Sequence, residues 1–272
     1  PGFVMYYPDI ANSIEMVSWD FQGSGYLWLP PIMNDPDESN IVYIGGGGIN
    51  SQNHLVKVTN GIGGMYAEDL EYSFESKISA MAYSHISTNL WYVSTEDGHF
   101  FYSDDGGESF TETSNFSGPE SHYFYGSSIL PSPVNSERVY IGGSGYSNPG
   151  IYLSQDGGES FESFDEDLPS TLVYGLACLP DESMIFAATE VGPYSFSFEN
   201  GVWTDMSNDV APEQVYWSVE YIHEIKTVRF GTYGRGIWDY TFDYNPILEI
   251  GDINQDEIVN IDDIISLVAI LM

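Results

Sequence analysis

Five oxygen-bearing side chains fall on a regular spacing near the C-terminal end: Asp252, Asn254, Asp256, Asn260 and Asp263. Hard oxygen donors at alternating positions suit Ca²⁺, because a short loop that carries them can wrap around the ion. No comparable set exists for a softer metal. His54, His85, His99, His122 and His223 are scattered without the paired spacing of a zinc site and are expected at the surface or in turns. Cys178 is the sole cysteine, which excludes an internal disulfide, and its place in the apolar run 173–179 suits a buried small hydrophobe. No nucleophile, base and orienting group stand in a recognisable set.

Charge narrows the partners. Lys plus Arg number 6 against 41 Asp plus Glu, a formal net charge of −35, so phosphate backbones are repelled and nucleic acid is not expected as a partner. The same field attracts cations and is easiest to tolerate in saline surroundings, where it is screened. No stretch approaches the length of a membrane span. The chain opens at Pro1 with no initiator Met and no visible signal peptide, which leaves room for an upstream part, and an extracellular location is expected.

The elements that position these residues repeat. Val42-Tyr43-Ile44-Gly45, Trp91-Tyr92-Val93-Ser94, Val139-Tyr140-Ile141-Gly142, Ile185-Phe186-Ala187-Ala188 and Val228-Arg229-Phe230-Gly231 share a β-branched or aromatic core that ends in small residues. Their first residues lie 49, 48, 46 and 43 positions apart, near the period of a propeller blade. Leu29-Pro30-Pro31-Ile32-Met33-Asn34 precedes the first core much as Ile129-Leu130-Pro131-Ser132-Pro133-Val134-Asn135 precedes the third, and alternating runs at 99–102, 150–153 and 236–240 follow later cores. Four antiparallel strands per unit make one blade. The fold class is therefore all-β, a β-propeller of four-stranded blades with about five visible in residues 24–242, part of a larger ring. Residues 1–23 do not complete a sixth blade and would supply outer or closing strands.

Two turns are nearly identical: Ser103-Asp104-Asp105-Gly106-Gly107-Glu108-Ser109-Phe110 and Ser154-Gln155-Asp156-Gly157-Gly158-Glu159-Ser160-Phe161. In each, the Asp at position three can accept bonds from turn amides, a glycine can take positive φ and the final aromatic can wedge into the blade. The pattern resembles the Asp-box, or BNR repeat, of sialidases, sortilin-type receptors, xyloglucanase-like glycoside hydrolases and photosystem assembly factors. That resemblance implies a propeller with the boxes on the outer rim, so Asp105 and Asp156 are expected to be structural. A degenerate copy is expected at Ser197-Phe198-Glu199-Asn200-Gly201, followed by Trp203. Gly231-Thr232-Tyr233-Gly234-Arg235-Gly236-Ile237-Trp238 looks like the closing blade of xyloglucanase-like propellers, with a structural role expected for Arg235.

Residues 251–272, set off by the linker 243–250 from the propeller at 1–242, resemble one repeat of a type I dockerin. Counting Asp252 as position one, the resemblance places calcium ligands at Asp252, Asn254, Asp256, the backbone carbonyl of Ile258, Asn260 and Asp263, followed by an apolar helix at 264–272. Glu257 stands at position six, where a glycine normally makes the sharp turn. Dockerins use two such repeats to bind cohesin, and one is present here, so docking of a cohesin-like partner by this chain alone is not expected.

No catalytic residue of a known family maps onto the sequence. A sialidase needs an arginine cluster, and Arg138, Arg229 and Arg235 match none of its motifs; a xyloglucanase-like hydrolase needs two facing carboxylates, which composition cannot select among 41 acids. Trp28, Trp91, Trp217 and Trp238 could stack on sugar rings, but their strand surroundings favour packing between blades. The functional expectation is a secreted propeller that binds or processes polysaccharide, with a calcium-binding dockerin-like tail for assembly or attachment. The alternative is a non-catalytic module of the sortilin or adhesin type that grips an extracellular protein.

Overall fold

The computed structural model describes residues 2–6, 17–21, 25–47, 53–61, 64–119, 128–207 and 211–241. Strands β1 (Gly2–Tyr6) and β2 (Val17–Phe21) pair with each other as an antiparallel ribbon. Four sheets of four strands and one of three follow, all antiparallel and in simple sequence order. Blade I holds β3 (Ile32–Asn34), β4 (Ile41–Gly45), β5 (His54–Gly61) and β6 (Gly64–Ser73). Blade II holds β7 (Ile78–Tyr83), β8 (Trp91–Thr95), β9 (Phe100–Ser103) and β10 (Thr111–Glu112). Blade III holds β11 (Ser128–Pro131), β12 (Val139–Gly142), β13 (Ile151–Ser154) and β14 (Glu162–Ser163). Blade IV holds β15 (Val173–Cys178), β16 (Met184–Thr189), β17 (Pro193–Ser197) and β18 (Val202–Asp205). Blade V has three described strands, β19 (Tyr216–Ile222), β20 (Thr227–Thr232) and β21 (Ile237–Thr241), with a short 3-10 turn at His223–Ile225 between the first two.

Successive sheets touch through their first strands, β7 against β11, β11 against β15 and β15 against β19, so these line the inside of the arc. The fourth strand of each sheet is then outermost, and the molecule is a β-propeller. The five repeated cores are the second strands, β4, β8, β12, β16 and β20, and their small last residues have a steric cause. A Cβ on Gly45 would stand 2.6 Å from Pro31 Cγ, and one on Gly142 2.8 Å from Val173 Cγ1. Inner strands crowd there, and glycine admits them.

Alternation along the second strands divides the core between neighbours. Trp91 and Val93 face blade I, where they meet Met33, Tyr43, Leu55 and Phe74. Tyr92 turns the other way and packs with Phe100, Val139 and Ile141 of the blade II to III seam. Tyr140 meets Val173, Leu176, Ile185 and Ala187 across the next seam, and Phe186 and Ala188 meet Tyr216, Val228 and Phe230 across the last. An aromatic side chain at the second place of the first four core segments (Tyr43, Tyr92, Tyr140, Phe186) thus reaches forward to the following blade. Each buried ring of this size contributes about 1.5–3 kcal/mol. In blade V the same place holds Arg229, which bonds Asp239 of β21 in bidentate fashion, Nε to Oδ1 and Nη2 to Oδ2, both at 2.8 Å. Ser218, Glu220, Asp239 and Thr241 are exposed on that same outward face.

Candidate functional site

Two ends of the arc differ in kind. At one end lie the turns between first and second strands together with the two Ser-x-Asp-x-Gly-x-Ser-aromatic turns, tied to them by Gly106 N–H donating to the Asn89 carbonyl at 2.9 Å and Gly157 N–H to Glu137 at 2.7 Å. Each such turn connects the third strand to the outermost fourth, as expected of a rim position. Within the first, Ser109 donates through its amide to Asp105 Oδ1 at 2.9 Å and through its hydroxyl to Oδ2 at 2.6 Å. Ser103 Oγ donates to Asp105 Oδ1 at 2.7 Å and accepts the Gly107 amide at 3.0 Å. The second turn repeats every bond, with Asp156 held by Ser154 and Ser160. The bonds from Ser109 draw the Asp105 carboxyl down to about 2, and at Asp156 burial acts upward but is outweighed by the bonds from Ser160 and Ser154. Gly107 takes φ +84 and presses on Trp91, where a Cβ would stand 2.7 Å from Cε3. With their carboxylates engaged internally these turns fasten the rim, and the shallow depressions beside them, lined in part by Asp156, Phe161 and Glu162 or by Glu71 and Glu108, offer no convergent free groups. The expected degenerate copy is different: Asn200 and Gly201 amides both donate to the Ser197 carbonyl, closing a tight backbone turn without a carboxylate.

The same end holds a buried charge that composition could not single out. Glu182, in the turn between β15 and β16 at φ +57, accepts from Arg138 Nη1 at 2.7 Å, Ser132 Oγ at 2.8 Å and Tyr140 Oη at 2.7 Å. All three donors belong to blade III, so a single carboxylate clamps blades III and IV. Cys178 packs beside it in the same seam, and burial first, then Glu182 and Asp181, push its thiol up to about 12.

At the opposite end the turns between second and third strands are tied to the segments that lead into first strands. Glu96 N–H donates to Lys77 at 2.8 Å, Gly145 to Thr171 at 2.8 Å, Glu190 to Leu172 at 3.0 Å and Tyr233 to Val215 at 3.1 Å. Exposed aromatic rings gather here: Trp28 is 76% exposed, Tyr146 58% and Tyr233 67%. The Tyr146 hydroxyl donates to the Glu190 carboxylate, joining the turns of blades III and IV. Trp217 is the extra residue of a bulge in β19, between the pairs Tyr216 with Thr232 and Ser218 with Gly231. Bulges re-aim side chains, and this one sets the Trp217 ring on Tyr233, centroids 4.7 Å apart and planes 25° from parallel. The turn under Tyr233 is closed by Thr232, whose hydroxyl and amide both donate to the Gly236 carbonyl at 2.7 and 3.1 Å.

The tryptophans therefore divide. Trp91 is buried and Trp238 packs against the blade IV to V core, as the strand pattern predicts. Trp28 precedes β3 and lies open to solvent, contrary to that expectation, and Trp217 faces an aromatic partner at the open end. His54 also departs from the surface placement expected of it: it is buried in β5, with Nδ1 2.9 Å from the Leu70 carbonyl. His99 is exposed and bonded to Glu112 at 2.6 Å, which raises its pKa. The three arginines do not converge. Arg138 serves Glu182, Arg229 serves Asp239, and Arg235 is exposed with no side-chain partner among the described residues, so the structural role expected for it is not observed. Among the described residues no three His, Cys, Asp or Glu side chains gather to hold a metal, and no helix is long and apolar enough to cross a membrane. The calcium ligands expected at Asp252, Asn254, Asp256, Ile258, Asn260 and Asp263, and His122, lie outside the described residues.

No protein-family model matches the chain, and no curated protein matches it. Solved structures do. An ancestral GH74 enzyme superposes with a TM-score of 0.60 at 18% identity, over 79% of this chain and 31% of its own. The GH74 enzyme of Niastella koreensis gives 0.58 at 17%, over 77% and 35%. A chain of a nidogen–laminin complex gives 0.58 at 12%, over 78% and 75%. The chain spans about a third of the two GH74 enzymes, and at these identities the likeness shows the propeller fold alone.

Proposed function

We propose that the chain is a module of an extracellular polysaccharide-binding or polysaccharide-processing protein, with its glycan contacts at the end that carries Trp28, Tyr146, Trp217 and Tyr233. The observation that carries this reading is that the three most exposed aromatic rings among the described residues, Trp28, Tyr233 and Tyr146, lie at this end, with the stacked Trp217–Tyr233 pair held on a closed turn. Flat, rigid rings present large apolar area at low entropic cost, and sugar ring faces stack on such surfaces. Two GH74 enzymes among the structural matches support the glycoside-hydrolase-like part of the reading. The rim turns are read as Asp-boxes on the strength of their saturated Ser and Asp bonds. Glycan-array binding together with release of reducing sugar tests the proposal; silence on every polysaccharide would sink it. A chain from a nidogen–laminin complex with the same fold keeps protein binding as the second reading, and a protein partner captured at the same end would favour it.

The proposal extends to residues 251–272 as a dockerin-like calcium loop for attachment, supported by the oxygen spacing and the acidic field around it. Calorimetric titration of Ca²⁺ into the intact chain and into Asp252→Ala with Asp263→Ala decides it. Equal heats from both proteins would remove the site.

A further inference from the structure

The chain has only six Lys and Arg residues against 41 acids. Where the described structure shows their surroundings, most are neutralised: Lys57 lies 4.0 Å from Glu68, Lys77 3.2 Å from Glu96, and Arg138 and Arg229 are committed to Glu182 and Asp239. Lys226 also has an interaction of its own. Arg235 has no side-chain partner among the described residues. It stands two positions after Tyr233 in the turn that holds the Trp217–Tyr233 stack, with its amide donating to Thr232 Oγ1 at 3.3 Å. In so acidic a protein a free guanidinium readily finds a carboxylate, so its isolation beside two stacked rings is informative.

We infer that this corner of blade V is a subsite for an acidic sugar, a hexuronate residue of a glycan whose ring lies on Tyr233 and whose carboxylate is taken by Arg235. The inference rests on the glycan-binding reading and adds the class of sugar to it. Tyr233 exposes one ring face to solvent while Trp217 supports the other, which is the geometry a pyranose needs. A planar guanidinium matches a carboxylate with two parallel hydrogen bonds, a selectivity that a neutral sugar does not engage. The net charge of −35 opposes a polyanion at long range, but at physiological ionic strength the Debye length is about 8 Å, so contact chemistry at Arg235 decides. Gly234 and Gly236 keep φ near +86 and +82 with no atom within 4 Å of a built Cβ, so the approach to Arg235 and Tyr233 is open.

The test is calorimetry at about 0.15 M salt with a galacturonate trisaccharide and the matching neutral galactose trisaccharide, on the wild type, Arg235→Gln, Arg235→Lys and Tyr233→Ala. Near-ultraviolet circular dichroism confirms that each variant is folded. The acidic sugar should bind the wild type more tightly, and Arg235→Gln should weaken it about tenfold while leaving the neutral sugar unchanged. Arg235→Lys should restore part of the loss, and Tyr233→Ala should weaken both sugars. Equal binding of the two sugars, unaffected by Arg235→Gln, would overturn the inference and leave the aromatic platform standing. Competition by polyglutamate as effective as by the uronate would replace the sugar with an acidic protein segment and overturn it too. No binding of either sugar would overturn this inference at galacturonate, and the broader glycan reading would then be judged on the array.

Discussion

Glu182→Ala should be more damaging than any change to an exposed acid of the chain. The side chain of Glu182 is 2% exposed and that of Arg138 26%. Truncation strips the half-buried Arg138 guanidinium of its carboxylate and leaves the Tyr140 and Ser132 hydroxyls without an acceptor. Breaking a fully buried pair from one side costs about 3–5 kcal/mol. Two features lower that figure here. Arg138 reaches water and lies 5.8 Å over the Phe198 ring, which offers it a second favourable site, and Ser132 Oγ keeps its bonds from the Val134 and Asn135 amides. About 3 kcal/mol remains, equivalent to about 6–12 °C in Tm for a chain of this size. Thermal and urea unfolding of Glu182→Ala, with Glu166→Ala as an exposed control, measure it. Arg138→Ala added to Glu182→Ala should cost less than Arg138→Ala alone, because the carboxylate it served is gone. A melting temperature for Glu182→Ala indistinguishable from the control, or additive effects in the double mutant, would refute the clamp.

Asp105→Ala or Asp156→Ala should each lower stability by about 1–2 kcal/mol, at the modest end because both carboxylates are solvent-exposed, with no change in ligand affinity. Both carboxyls sit below their ordinary value in the folded protein, so the stability they lend is present above the ordinary carboxylate range and lost on acidification; for Asp105 the loss runs from about pH 5 down through about 2. Acid unfolding curves of wild type and Asp105→Ala should therefore converge in that window; a constant gap down to pH of about 2 would count against the reading. Cys178, with its thiol pushed up to about 12 by burial, should resist alkylation near neutral pH in the native protein and react on unfolding, as timed thiol labelling will show.

The blade repeat was legible because a period of 43 to 49 residues carries a strand core that alternates toward both neighbours, and β4, β8, β12, β16 and β20 stand where those cores predict. The two Asp turns were legible because their bonds are local. What the sequence could not disclose is non-local. Glu182 is one acid among 41, and only the docking of blade III onto blade IV makes it a buried clamp. Trp217 reads as another strand residue, and the bulge that turns it onto Tyr233 shows only in the register of β19 against β20. Arg235 reads as part of a glycine-rich turn, and its lack of a side-chain partner among the described residues emerges only beside the ion pairs of Lys57, Lys77, Arg138 and Arg229.

Arg229 takes the place that an aromatic ring takes in the four preceding cores, and it changes what the molecule can do to its own copies. A repeat fold whose every face fits a neighbour of the same kind also fits a second molecule, and nothing in the shape alone tells one from the other. On blades I to IV that adhesive seat is filled from within the chain. On blade V an apolar partner would have to strip water from the Arg229–Asp239 pair and from Glu220, a cost that stacking cannot return. The solvated Arg229–Asp239 pair therefore disfavours docking of an apolar copy on that side of blade V, where charge replaces the stacking surface of the other blades.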